Sequence, residues 1–229
     1  MMRKITLIKL LLPLLAMTLT IDSHGKDTCL GPDKATDAFI YLHGLDDPKV
    51  GEHENRNRKL LQKIAEDLNT KIAVPRSKEI CRNNRSCWTH QGVDQIMASM
   101  EYAMKQSHTC IGDRKLKGMM GFSNGGYLLS KYFQSCKHSN PISYLITGAL
   151  GELNPIPLPK SPDRCGHLTI AIGRQDQVYR RSKSLYQTLA KKFPGQVKFT
   201  EFAGGHDLDE KTLREWLQES RVRYSQLQK

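Results

Sequence analysis

Acidic residues are scarce in this chain. Across 229 residues there are 23 Asp and Glu against 35 Lys and Arg, a formal net charge of +12. The cations are scattered, as in Arg56, Arg58 and Lys59 or Arg180, Arg181 and Lys183, and no run of them is interleaved with aromatic side chains. That pattern argues against a nucleic-acid partner. It fits a solvated basic surface with weak attraction to acidic polymers or lipid head groups. Metal-ligand spacing is lacking too. There is no Cys-x-x-Cys pair and no His-rich tract, and His53-Glu54 lacks the second histidine of a metalloprotease helix, so neither a zinc site nor any other cofactor is expected. Repeats and low-complexity linkers are missing, which leaves one core rather than an array. The apolar run at 10–17 is short for a bilayer span and Lys9 interrupts it, which disfavours a permanent anchor.

That run does fit a leader. Arg3, Lys4 and Lys9 precede it, and Ser23-His24-Gly25 follows with small residues where a signal peptidase reads. Residues 1–25 are therefore expected to be a cleaved signal peptide, with a single domain over 26–229 and a secreted or periplasmic destination. No cysteine follows in lipobox context. The six cysteines, at positions 29, 81, 87, 110, 136 and 165, all lie beyond the expected cut. An even number in an exported chain points to disulfides.

Apolar runs and helical stripes then alternate. Residues 38–42 read as a buried strand, and Leu60, Leu61, Ile64 and Leu68 as one face of a helix. A short strand at 71–74 stops at Pro75, and Val93, Ile96, Met97, Met100 and Met104 mark a second helix filling the core. Strand-like runs at 117–122, 142–147, 168–172 and 197–202 follow, with helices after the first, third and fourth. Nearly all-apolar strands in βα alternation predict an α/β protein, a mostly parallel sheet covered by helices on both faces, with functional residues at the carboxyl ends of the strands. The topology suggests three disulfides. Cys110 with Cys136 would close the lower edge, Cys81 with Cys87 one upper loop, and Cys29 with Cys165 two strand starts.

Gly121-Phe122-Ser123-Asn124-Gly125-Gly126 joins a strand to a helix. A serine between glycines at such a turn is presented at the sheet edge, in a strained backbone, with the amides of the next helix beside it. Serine is a weak nucleophile and needs a base and an acid to orient that base. His206, in the glycine loop after the last strand, is the expected base. Asp176, just beyond the penultimate strand, is the expected acid. Asp207 and Asp209 lie close in sequence, but a neighbour of His206 cannot easily turn to meet its ring. The loop His43-Gly44-Leu45 follows the first apolar strand. Its Leu45 amide, with that of Asn124, is the expected pair of donors to an oxyanion. Asp46 is expected to border the pocket. Trp88, on the 75–91 loop, either shapes the pocket or fills the core, and His90 is a second candidate lining residue.

Tyr41-Leu42-His43-Gly44-Leu45-Asp46-Asp47 and the stretch 121–126 together resemble the phospholipase/carboxylesterase family, which includes the acyl-protein thioesterases. The order and spacing continue through Asp176 and His206. The resemblance implies a compact, lidless α/β-hydrolase that cleaves carboxylic esters or thioesters without a metal, with Ser123, Asp176 and His206 as triad. Asp46 departs from that family's glycine and Asn124 from its glutamine. Secreted, cysteine-rich polyhydroxyalkanoate depolymerase-like and feruloyl esterase-like relatives carry similar elbows, and Cys87-Trp88 is similar to that branch. The substrate expected is a small-molecule or polymer-borne ester of short to medium acyl length. The rival readings are a serine peptidase of the same fold and a non-catalytic pseudo-hydrolase that binds envelope polymer.

Overall fold

A computed structural model describes residues 28–46, 51–137, 142–149 and 165–227; the expected leader, residues 1–25, lies outside them. The strands are β1 (Cys29–Leu30), β2 (Asp37–Leu42), β3 (Lys71–Ala73), β4 (Lys115–Phe122), β5 (Ser143–Thr147), β6 (His167–Gly173) and β7 (Val197–Phe202). The helices are α1 (Glu52–Asp67), α2 (Val93–Ile111), α3 (Asn124–Ser135), α4 (Tyr179–Lys192) and α5 (Glu210–Leu227). The strands form one sheet in the order β1-β3-β2-β4-β5-β6-β7. Every pairing is parallel except β1 with β3.

Successive side chains of a strand point to opposite faces, and here each face has its own core. Ile40, Leu42, Met119, Tyr144, Ile146 and Ile170 meet Met100 of α2, Leu129 and Phe133 of α3, and Leu189 of α4. Their neighbours Phe39, Tyr41, Met120, Leu145 and Ala171 meet Leu61 and Ile64 of α1, and Leu213 and Trp216 of α5. Burial on both faces is why the strands read as continuous apolar runs rather than alternating ones. The sheet's carboxyl edge is left to loops. None of the helices among the described residues is long and apolar enough to cross a membrane.

Two of the three expected disulfides are re-paired. Cys81 joins Cys87 as anticipated, but Cys29 joins Cys110 and Cys136 joins Cys165. The error lay in β1, two residues long and without periodicity, which adds itself antiparallel to the outside of β3. Cys29 therefore stands at one edge of the sheet, five strand spacings from β6. At about 4.8 Å per spacing that is roughly 24 Å, far beyond the reach of a disulfide to Cys165. The end of α2 lies over this edge instead, where the Cys110 Sγ contacts the Ile72 carbonyl. Cys136 caps α3 in the left-handed region at φ 51°, beside the start of β6, and its Cα is 4.7 Å from that of Cys165.

Candidate active site

Strand β4 ends at Phe122 and α3 begins at Asn124, so the whole turn falls on Ser123. Its φ of 49° and ψ of −114° lie in a region that L residues avoid, at a cost of about 1–3 kcal/mol. Two backbone bonds hold the strain. The Ser123 N–H donates to the Thr147 carbonyl on β5 at 2.9 Å, and the Tyr127 N–H donates back to the Ser123 carbonyl at 3.0 Å. Gly125 makes the turn possible from the other side. A Cβ there would collide with the Leu42 carbonyl, so glycine lets α3 approach the end of β2, and its N–H donates to the His43 carbonyl at 3.0 Å.

The loop after β2 is pinned from behind. His43 is buried; its Nδ1 is 2.6 Å from the Gly44 carbonyl, and its Nε2 accepts the Ser77 N–H at 3.2 Å. One donor and one acceptor require the neutral ring. Burial lowers its pKa to about 4, so the ring stays neutral at ordinary pH. Because a trans peptide sets its C=O and N–H in opposite directions, fixing the Gly44 carbonyl aims the Leu45 N–H away from the His43 ring. Leu45 lies at the cavity mouth, 51% exposed.

Asp176 and His206 meet through two loops packed backbone to backbone. A Cβ on Gly173 would strike the Gly205 carbonyl, and the Gln175 N–H donates to the Gly204 carbonyl at 2.8 Å. This brings the buried Asp176 Oδ2 within 2.9 Å of His206 Nδ1, while Asp176 Oδ1 accepts the Val178 N–H at 2.9 Å. With Nδ1 held by the carboxylate, Nε2 is the ring atom left for another partner. No hydrogen bond joins Ser123 Oγ to His206 among the described residues, but both line one cavity of about 430 Å³. The Phe122 ring packs on the imidazole at 4.9 Å. Asp207, the sequence rival for the acid, turns away and meets His53 Nε2 at 3.2 Å.

The same cavity is lined by Gly44, Leu45, Asp46, Glu52, His53, Glu54, Arg85 and Gln177. Asp46 braces the pinned loop. Its Oδ1 accepts the Gly51 N–H at 2.7 Å, its carboxylate pairs with Arg76 at 3.6 Å, and its backbone exchanges both hydrogen bonds with Ser86. Glu54 is buried beside Tyr41 and Arg58, and burial, only partly offset by the Arg58 charge, raises its pKa to about 7.

Trp88 corrects the first of its two expected places. It is 1% exposed, lies in the α2–α3 core and does not line the cavity. The 75–91 loop reaches the cavity through Arg85 instead. Trp88 acts from underneath: its indole N–H donates to the His43 carbonyl at 3.1 Å. Its backbone N–H and carbonyl engage the Asn124 side chain at 2.6 and 3.3 Å. That link was missed in the sequence, where Asn124 was considered only for its amide. His90 likewise leaves the cavity and stacks on Tyr127 at 5.4 Å.

No protein-family model and no curated protein matches the sequence. Solved structures do match. Acyl-protein thioesterase 2 of Zea mays superposes with a TM-score of 0.62 at 18% identity, over 84% of this chain and 97% of that one. SOBER1 of Arabidopsis thaliana gives 0.60 at 12% identity, over 81% and 99%. A carboxylesterase from Mesorhizobium loti gives 0.60 at 18% identity, over 85% and 91%. At these identities the likeness establishes the fold, that of the α/β-hydrolases.

Proposed function

We propose that the chain is an exported serine hydrolase that cleaves carboxylic esters or thioesters through a covalent acyl-enzyme. The observation that carries this reading is a single arrangement. A serine on a strained strand-to-helix turn faces the cavity of a histidine whose other nitrogen is held at 2.9 Å by a buried carboxylate. The names of the superposing proteins, thioesterase and carboxylesterase, agree with ester chemistry. Three disulfides favour an oxidising compartment.

In this mechanism the His206 Nε2 takes the Ser123 proton as the Oγ attacks the carbonyl carbon. Asp176 holds the ring in the required tautomer and stabilises the imidazolium that forms. The carbonyl oxygen gains negative charge and is received by the N–H groups of Leu45 and Asn124, worth about 3–4 kcal/mol per donor in comparable sites. Collapse of the tetrahedral intermediate breaks the ester C–O or thioester C–S bond, and the imidazolium gives its proton to the departing alcohol or thiol. Water, deprotonated by the same histidine, then attacks the acyl-serine, and Ser123 leaves with the proton. The Gly125–His43 bond keeps both oxyanion donors in register, since one belongs to α3 and the other to the loop that bond anchors.

Labelling with a fluorophosphonate probe, alongside turnover of p-nitrophenyl acetate, tests the assignment. The native protein reacts with the probe, and Ser123→Ala loses both labelling and at least about a thousandfold in kcat. A correctly folded native protein that stays unlabelled and inert sinks the reading.

A further inference from the structure

Besides His206–Asp176, a second histidine–carboxylate couple reaches the cavity through its histidine, and the proposed mechanism leaves it idle. His53, in the first turn of α1, meets Asp207 at 3.2 Å. Asp207 directly follows His206 in the same loop, and His53 lies on the ring of Phe122 at 5.2 Å, the ring that also touches His206 at 4.9 Å. The couple is therefore tied to the base on one side and to the residue before Ser123 on the other. It contributes little as a structural link. With side chains 40% and 63% exposed, a pair of this kind adds little to the stability of a fold. Asp207 occupies the Nε2 position of His53, which fixes the ring, and in the neutral imidazole the other nitrogen, Nδ1, is an acceptor.

The walls around His53 bear on what Nδ1 would accept. Apart from Ser123 and His206, Asp46, Glu52, His53, Glu54, Arg85 and Gln177 line the cavity with Leu45 and Phe122, and the wall divides about evenly between polar and apolar surface. Hydrocarbon gains free energy only by leaving water for an apolar wall. Here a chain of methylenes would strip water from carboxylates and an imidazole without replacing its hydrogen bonds. An ammonium group would suit Glu52 but meet Arg85, while Asp46 and Glu54 already pair with Arg76 and Arg58. A hydroxyl donates and accepts at once, which matches a wall that carries both donors (Arg85, Gln177) and acceptors (Asp46, Glu52). A cavity of about 430 Å³ also falls in the range of small-molecule sites.

We infer that His53, oriented by Asp207, is a specificity-determining residue, and that the preferred substrates are esters with hydroxyl groups close to the scissile bond. The inference rests on the ester-hydrolase reading above. The hydroxyls can belong to a sugar-like alcohol or to a hydroxyacyl group, and His53 accepts one of them.

The experiment compares kcat/KM on three substrates of similar size: a mono-O-acetyl hexose, a p-nitrophenyl ester of a short hydroxyacid, and the p-nitrophenyl ester of the matching unsubstituted acid. The native protein is expected to favour at least one hydroxylated ester over the plain one, and the better of the two names the side that carries the hydroxyls. In His53→Ala that preference falls roughly three- to tenfold, the worth of one hydrogen bond, mainly through KM. His53→Gln, which keeps an acceptor, recovers part of it, and Asp207→Asn lowers it in the same direction. An unchanged ratio in both His53→Ala and Asp207→Asn overturns the inference, as does a native protein that turns over the plain ester faster than either hydroxylated one. Fluorophosphonate labelling of Ser123 in each variant separates this failure from that of the parent reading. A labelled protein with no hydroxyl preference refutes only the specificity.

Discussion

Glu54 should make the folded protein less stable as the pH rises, and removing its charge should expose that cost directly. Its carboxyl is buried on α1 with Tyr41 donating to one oxygen and Arg58 at 3.3 Å from the other. Burial is the larger influence, and the pKa rises from 4.5 to about 7. The sign follows from proton counting. Below pH 4.5 the carboxyl is protonated folded or unfolded and contributes nothing. Between 4.5 and 7 the unfolded chain releases the proton while the folded one keeps it, so stability declines with rising pH. Above 7 the full cost is present. At about 1.4 kcal/mol for each pH unit of displacement, the loss amounts to about 3 kcal/mol. Glu54→Gln keeps the shape without titrating. Urea unfolding of both proteins, with disulfides intact, at pH 4.5, 6 and 8 cancels the drift of every other group in the difference. Relative to the native protein, the variant should gain about 3 kcal/mol between the lowest and highest pH. With a urea dependence near 2 kcal/mol per molar, that is a midpoint shift of about 1–2 M. A difference that is flat with pH refutes the argument. A variant that loses ground as pH rises would mean that the Arg58 pair outweighs burial.

Other outcomes follow from the same contacts. His43, whose folded pKa is held near 4 against 6.5, supplies stability that is present above pH 6.5 and is lost as pH falls toward 4. His43→Ala should flatten that acid limb of the unfolding profile and, by releasing the Gly44–Leu45 peptide, lower kcat about 100-fold with less effect on KM. Asn124→Ala removes two buried hydrogen bonds to the backbone of Trp88 and should cost about 1–3 kcal/mol, seen as a lower thermal midpoint and faster proteolysis in the 75–91 loop. Peptide mapping should recover Cys29 joined to Cys110 and Cys136 joined to Cys165. Replacing each pair by serine should destabilise in the order of the residues spanned, 81, 29 and 6, by about 4.5, 3.5 and 2 kcal/mol. A reversed order in denaturant midpoints would show that native-state strain outweighs chain entropy.

The sheet and its helices were legible in the sequence because each carries a local, periodic signal. The run at 197–202 could only be a strand, and Leu61, Ile64 and Leu68 could only share a helical face. The relation of Ser123, Asp176 and His206 was legible for a different reason. Each sits at the carboxyl end of a parallel strand, so strand order alone brings them to one edge. β1 had neither kind of signal. It is two residues long, and it decides where Cys29 lies, so an error about one short element re-paired four cysteines.

The supports of the site were hidden for a related reason: they are side-chain bonds between segments distant in sequence. Asn124 reaches Trp88 across 36 residues, Trp88 reaches His43 across 45, and His43 reaches Ser77 across 34. Together they fasten the 75–91 loop, the loop after β2 and the start of α3 into one buried polar network, with Gly125 closing the circuit on the His43 carbonyl. A network of this kind is rigid only while every member is satisfied. The two amides proposed to receive the oxyanion therefore depend on residues that never enter the cavity. This also gives the asparagine at position 124 a physical meaning. The shorter amide places its oxygen 2.6 Å from the Trp88 N–H, and glutamine, one methylene longer, would have to fold back or push the Trp88 backbone away. Asn124→Gln should thus loosen the oxyanion loop while keeping the donor amide itself. It should lower kcat on p-nitrophenyl acetate by more than it raises KM. If it leaves both unchanged, the network does not govern the loop and the coupling argued here is wrong.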